Sequence, residues 1–173
     1  MKTLEDQLSQ YAAYHRDRRN ILTHFVGIPM IVLAVVVLLA RPAFELAGFP
    51  VSAATLAVIV ATLYYLRLDL RFGLTMGVLL VACLAVAHAT AVLSTGNWAF
   101  VGVGLFVLGW VIQFIGHIFE GRKPAFVDDI MGLVIGPLFV VAELAFLMGL
   151  RREVEAVIES RAGPVHAGRM LAK

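Results

Sequence analysis

At 173 residues the chain suits one compact domain, yet 61% of it is hydrophobic and only 15% charged, with a mean hydropathy of +0.90. Soluble domains are about 45–50% apolar and about 25% charged, so the composition excludes an ordinary soluble domain and predicts an integral membrane protein. A net charge of +2 gives no reason to expect nucleic-acid binding, and a single cysteine, Cys83, rules out an intrachain disulfide. The polar first twenty residues lack an apolar core, so no cleavable signal peptide is expected.

Residues 3–19 read as an amphipathic helix, with Leu4, Leu8, Tyr11 and Ala12 on one face and Asp6, Ser9 and Gln10 turned away. A solvated leader is the alternative. Five apolar runs follow: Phe25–Ala40, Val51–Leu66, Phe72–Leu93, Trp98–Phe119 and Ile130–Leu150. A spanning helix takes roughly 20 apolar residues. The last three runs qualify; the first two, at sixteen residues each, do so only with flanking residues such as Leu22 and Thr23. Nothing alternates polar and apolar as a membrane barrel must, so strands are not expected. The predicted fold class is all-α, a polytopic membrane helix bundle of four or five spanning helices with an N-terminal amphipathic helix. Residues 1–150 would form one membrane domain, the bundle occupying 20–150, with a polar tail over 151–173. Gly102, Gly104, Gly109 and Gly116 suit close helix packing, and Gly136-Pro137 should kink the fifth run.

Basic residues set orientation. Lys2, Arg16, Arg18 and Arg19, then Arg67 and Arg71, then Arg122 and Lys123 fall on one side if every run crosses once. The N-terminus is therefore expected in the cytoplasm. Arg151-Arg152 conflicts with five crossings, so one of the two short runs or the proline-broken fifth is expected to re-enter or fail to cross.

Polar chemistry concentrates in two stretches, each beside an apolar run, where such groups are costly to keep. In the first, Gln113 to Pro124, the side chains of Gln113, His117 and Glu120 share a helix face. An imidazole and a carboxylate at that spacing can reach one divalent cation; a structural hydrogen-bonded pair is an equal reading. In the second, Tyr14 to Pro29, Asn20 and His24 share a face, while His15 and His24 lie nine apart, about 180° around a continuous helix. The chain must turn between them, within Arg16–Asn20, if both serve one site. With four crossings His15, His24 and His117 emerge on the same side, and with Glu120 they suit zinc, or Fe(II) with open positions. Interfacial histidines bonded to backbone or head groups are the alternative. His88 lies some sixteen residues into its run, roughly 24 Å along a helix, and is expected to pack apart from this group; His166 is expected to be solvated. Asp128 and Asp129 should cap the fifth helix or orient a ligating histidine. Glu143, inside the fifth run, must be paired, protonated or beside a polar cavity. Gln113 and Asn20 are candidates for hydrogen bonds that support the ligands, and Arg18 and Arg122 for contact with a carboxylate.

These motifs carry a resemblance. Tyr14-His15, Asn20, His24, Gly27 and Pro29, then Trp110 to Ala125 (W-V-I-Q-F-I-G-H-I-F-E-G-R-K-P-A), then Asp128 to Glu143 resemble the yeast-type 2-hydroxy fatty acid dioxygenases, small membrane proteins long classed as a domain of unknown function. The resemblance covers most of the chain. It implies Fe(II)-dependent α-oxidation that removes the carboxyl carbon of a 2-hydroxy fatty acid, with dioxygen as co-substrate and membrane lipids as surroundings. It also implies His15, His24 and His117 as metal ligands, with Glu120 binding or orienting at its H-x-x-E spacing. Separately from the resemblance, a bacterial inner-membrane location is expected. Zinc could replace iron in isolated protein. Rival readings are a zinc-dependent lipid hydrolase, a histidine-ligated membrane metal or haem protein, and a transporter, the last poorly served by so few deep polar residues. Oligomeric state does not follow from the sequence.

Overall fold

The computed structural model describes residues 2–167. Its elements are α1 (Leu4–Ala12), α2 (Arg18–Leu39), β1 (Ala43–Leu46), β2 (Phe49–Ser52), α3 (Ala53–Leu68), α4 (Leu70–Ala91), α5 (Thr95–Glu120), a 3-10 turn (Ala125–Val127), α6 (Gly132–Leu147) and α7 (Arg152–Ala162). The predicted all-α membrane fold is found. Helices α2, α4 and α5 are long and apolar enough to cross a membrane, with mean hydropathies of 2.6, 2.1 and 2.1. The apolar span of α5 is only 22% buried within the protein, and Phe100 and Ile118 stand 80% and 75% exposed. Helices with this much bare apolar surface need lipid around them, which makes this an integral membrane protein.

The described chain divides into two units, one from Met1–Ile28 with Val111–Lys173 and one from Pro29–Trp110. In the first unit α1 opens with a capping box: Asp6 N–H donates to Thr3 Oγ1 at 3.2 Å and Thr3 N–H to Asp6 Oδ2 at 2.9 Å. Leu4, Leu8, Tyr11 and Ala12 are buried as the periodicity predicts, and α1 packs on α6 and α7. Ser9, expected to face away, is buried too, because those two helices cover more of α1 than one stripe. The helix predicted over 3–19 breaks: α1 stops at Ala12 and α2 starts at Arg18. His15 sits in the connection, slightly earlier than the turn placed within Arg16–Asn20.

Helix α6 runs through Pro137 without a break in the helix. The sharp change of direction, 115°, comes instead between α6 and α7. Its cause is local: Gly149 takes φ 74°, its N–H bonds Phe146 O and the Leu150 N–H bonds Ala145 O, both at 2.8 Å. This is the left-handed glycine stop that satisfies terminal carbonyls. The chain then returns to α1, where Arg161 pairs with Asp6 at 2.8 Å. His166 is exposed as expected, but its backbone is laced to the α1–α2 connection: its N–H bonds Arg16 O and its carbonyl accepts Arg18 N–H, each at 2.9 Å. The segment behind Arg151-Arg152 thus stands beside the N-terminal helix as α7, while the fifth run holds α6 alone.

In the second unit Asp69 ends α3 and caps α4, its Oδ1 accepting Phe72 N–H at 2.9 Å. A Cβ on Gly73 would lie 2.5 Å from Leu66 Cα, so glycine lets the α3–α4 hairpin close. Trp98 Nε1 donates to Val37 O at 2.9 Å, and the Arg41 guanidinium caps α4 through the carbonyls of Ala91 and Leu93. The strands are a surprise. Residues Ala43–Leu46 and Phe49–Ser52 pair antiparallel around Ala47-Gly48, both of which have positive φ, 52° and 80°, as a two-residue hairpin turn requires. Alanine in the first turn position hides that signal.

Candidate metal centre

The connection between α1 and α2 carries His15, the first turns of α2 carry Asn20 and His24, and the last turns of α5 carry Gln113, His117 and Glu120. The three imidazoles meet. Ring centroids lie 4.4 Å apart for His15–His24, 5.0 Å for His15–His117 and 5.2 Å for His24–His117. One ligand nitrogen from each falls within 4.8 Å of the other two, and all three residues are buried. Helix α3, at 16 residues about 24 Å long, is apolar but shorter than the three helices long enough to span.

Backbone carbonyls set the tautomers. His15 Nδ1 lies 2.7 Å from Tyr11 O and His24 Nδ1 lies 2.8 Å from Asn20 O. A carbonyl only accepts, so each Nδ1 carries the proton and each Nε2 keeps a lone pair, the state a metal requires. His15 Nε2 and His117 Nδ1 are buried without a partner among the described residues. Burial, with the His24 imidazole next to it, holds His15 well below the ordinary histidine range. The neutral ring is therefore the resting form, as ligation needs. Tyr11 stacks on His15 at 4.1 Å and 8°, with Phe139 5.6 Å from the same ring. The sequence placed Tyr11 only on an apolar face; nothing in spacing distinguishes a ring that braces a ligand from one that fills a core.

Glu120 is not among the converging ligand atoms. Its Oε1 accepts Arg16 N–H at 3.0 Å, and its Oε2 accepts Asp17 N–H at 2.8 Å and Asn20 Nδ2 at 3.0 Å. The carboxylate thus closes the connection that carries His15, satisfying backbone donors that the break before α2 leaves open. A Glu120→Gln variant puts an NH₂ among those donors. We expect a loss of roughly 1–3 kcal/mol in unfolding free energy, faster proteolysis between Ala12 and Arg18, and metal binding weakened about 10–100-fold. Gly116 admits α2: a Cβ there would lie 2.0 Å from Thr23 Oγ1 and 2.5 Å from Asn20 Oδ1. Gly116→Ala should therefore cost about 1–3 kcal/mol by overpacking, read as a lower Tm with a looser metal site.

The other candidates lie around this centre. Glu143 pairs with Arg16 at 3.2 Å, which answers the need of a buried carboxylate. Arg16 also reaches Ala12 O, His15 O and Gly163 O, so an arginine named from the sequence only for its part in setting orientation ties three segments together. Asp128 accepts Tyr14 Oη–H at 2.8 Å and Lys123 Nζ at 2.6 Å, and Asp129 accepts Met131 N–H and Gln10 Nε2. Lys123 and Tyr14 hold Asp128 below the usual carboxylate range. Backbone carbonyls, rather than Asp128, Asp129 or Glu143, bond the Nδ1 atoms of His15 and His24. Arg122 is exposed and donates to Ala13 O at 2.8 Å. Arg18 is exposed and lines a groove with Phe25, Glu143 and Glu155. His88 is in α4, outside the group.

A family model described as 2-hydroxy-palmitic acid dioxygenase Mpo1-like matches residues 1–148, the stretch that holds all three histidines. The chain belongs to the Mpo1-like family. Within it, the chain is 31% identical over 159 residues to the 2-hydroxy-palmitic acid dioxygenase MPO1 of Saccharomyces cerevisiae, covering 90% of this chain and 87% of the yeast protein. No solved structure matches the chain.

Proposed function

We propose that this Mpo1-like protein is an Fe(II)-dependent dioxygenase that shortens 2-hydroxy fatty acids by one carbon. The observation that carries this reading is the convergence of His15, His24 and His117 in a chain 31% identical to a 2-hydroxy-palmitic acid dioxygenase. The donor set fits a metal: two imidazoles have their protons committed to carbonyls, and His15 Nε2 and His117 Nδ1 have no other partner. Zinc also suits three histidines, but it has no redox chemistry, and iron supplies what dioxygen activation needs. Three protein ligands leave room for a 2-hydroxy acid, which offers a carboxylate and the adjacent hydroxyl as a chelating pair.

The overall reaction balances without an added reductant. A 2-hydroxy acid and dioxygen yield the acid one carbon shorter, carbon dioxide and water; the C1–C2 bond breaks and C2 is oxidised to the new carboxyl. The residues of the chain bind and position. His15, His24 and His117 hold the metal, Glu120 holds the His15 connection, and exposed Arg18 and Arg122 draw the anionic head toward this end of the protein. Exposed apolar helices leave the acyl tail in lipid. On the basic-residue pattern, this end faces the cytoplasm, in a bacterial inner membrane.

The test is anaerobic purification, reconstitution with Fe(II), and addition of 2-hydroxypalmitate and oxygen. Pentadecanoate and carbon dioxide should appear in equal amounts, in step with oxygen uptake. Absence of the shortened acid from iron-loaded protein sinks the substrate assignment.

A further inference from the structure

Of eight buried side-chain nitrogen and oxygen atoms without a hydrogen-bond partner among the described residues, five belong to His15, Asn20, Gln113 and His117. Three of the five are accounted for by metal ligation or by the tight α2–α5 approach. The other two are Nε2 and Oε1 of Gln113, a residue only 4% exposed. An amide buried with neither its donor nor its acceptor satisfied costs free energy, and such a group in a native protein points to an absent partner. Gln113 is four residues before His117 on α5, on the same face and one turn further from the helix end. At Gly116, between them, α5 lies hard against Asn20 and Thr23 of α2.

We infer that Gln113 reads the 2-hydroxy acid head group, Oε1 accepting from the substrate hydroxyl while Nε2 donates to its carboxylate. The inference rests on the proposed function and deepens it. A primary amide offers one acceptor and one donor side by side; a 2-hydroxy acid offers the complementary hydroxyl and carboxylate on adjacent carbons. An unsubstituted fatty acid has no hydroxyl to donate and leaves Oε1 unpaired. A site with a buried polar group waiting for a substrate hydroxyl rejects the analogue that lacks it. Gln113 is thus a specificity-determining residue, distinct from the ligands.

Binding of 2-hydroxyhexadecanoate and hexadecanoate to iron-loaded protein, measured anaerobically by calorimetry in detergent, tests this in the wild type, Gln113→Met and Gln113→Leu. Iron content and Tm are read alongside. We expect the wild type to prefer the hydroxy acid, and both variants to lose about tenfold or more of that preference. Iron content should be unchanged, and Tm equal to or above wild type, because the unmet polar atoms are gone. An unchanged preference ratio in either variant overturns the inference alone. So does a lower Tm with iron lost and both acids bound equally weakly, which would make Gln113 structural. A wild type that binds neither acid overturns the proposed function, and the inference with it.

Discussion

Under the proposed function, replacing His117 with alanine should remove bound iron and turnover together. Among the described residues three side chains converge, and losing one leaves two neutral donors for an ion that must be held against water. Loss of an outer hydrogen bond to a metal ligand typically costs about 10–100-fold in affinity or activity; loss of the ligand itself should exceed that in both readouts. The fold should survive, since the deleted ring carries an unpartnered buried nitrogen whose removal relieves a desolvation cost. Iron per protein by elemental analysis, turnover and Tm should be measured together. His88→Ala, outside the group, is the control and should leave iron bound. Full iron and full turnover in His117→Ala would remove His117 from the site.

Replacing Arg16 with methionine should be the most destabilising change near the centre. The Arg16 and Glu143 side chains are 8% and 12% exposed and 3.2 Å apart. Breaking a buried pair from one side leaves an uncompensated charge and costs roughly 3–5 kcal/mol. Here the carbonyls of His15 and Gly163 lose the guanidinium donor too, while Ala12 O keeps the His15 N–H. The double variant Arg16→Met with Glu143→Leu should recover much of the loss, because a well-packed apolar pair often replaces a buried ion pair at little cost. It should not recover all, since the carbonyls of His15 and Gly163 stay without the guanidinium. Arg16 follows His15, so iron affinity should fall in the single variant. Equal stability of Arg16→Met and wild type in chemical unfolding would show that the pair carries no weight.

Many elements were legible before any coordinates. The apolar runs map onto α2 to α6 with ends displaced by a few residues, except where α2 extends back to Arg18, because hydrophobic run length is what a membrane helix answers to. The α6–α7 bend was not legible as such. Gly136-Pro137 is the louder signal, yet a helix in lipid or in a packed core can carry proline, and the stop at Gly149 depends on which carbonyls it finds. The β-hairpin escaped because its turn uses alanine at positive φ.

The site divides the same way. His15, His24 and His117 could be named from residue type and position at the ends of apolar runs, and their meeting followed from counting crossings. Tyr11, Arg16 and the role of Glu120 could not. Each acts through a partner more than a hundred residues away or through a ring stack, and a single sequence holds no record of such distances.

Apolar run length and composition alone mark this chain as a membrane protein and set its helices, and they leave three histidines beside or near the ends of those runs. Solvent and lipid act on each segment separately, so composition and period suffice for that much. Only the tertiary structure decided which polar groups serve which purpose. It shows Glu120 closing the His15 connection, bonds the Nδ1 atoms of His15 and His24 to backbone carbonyls, and leaves Gln113 with an amide that no described residue satisfies. Those outcomes depend on distances of about 3 Å between segments far apart in the chain, where a hydrogen bond is made or missed.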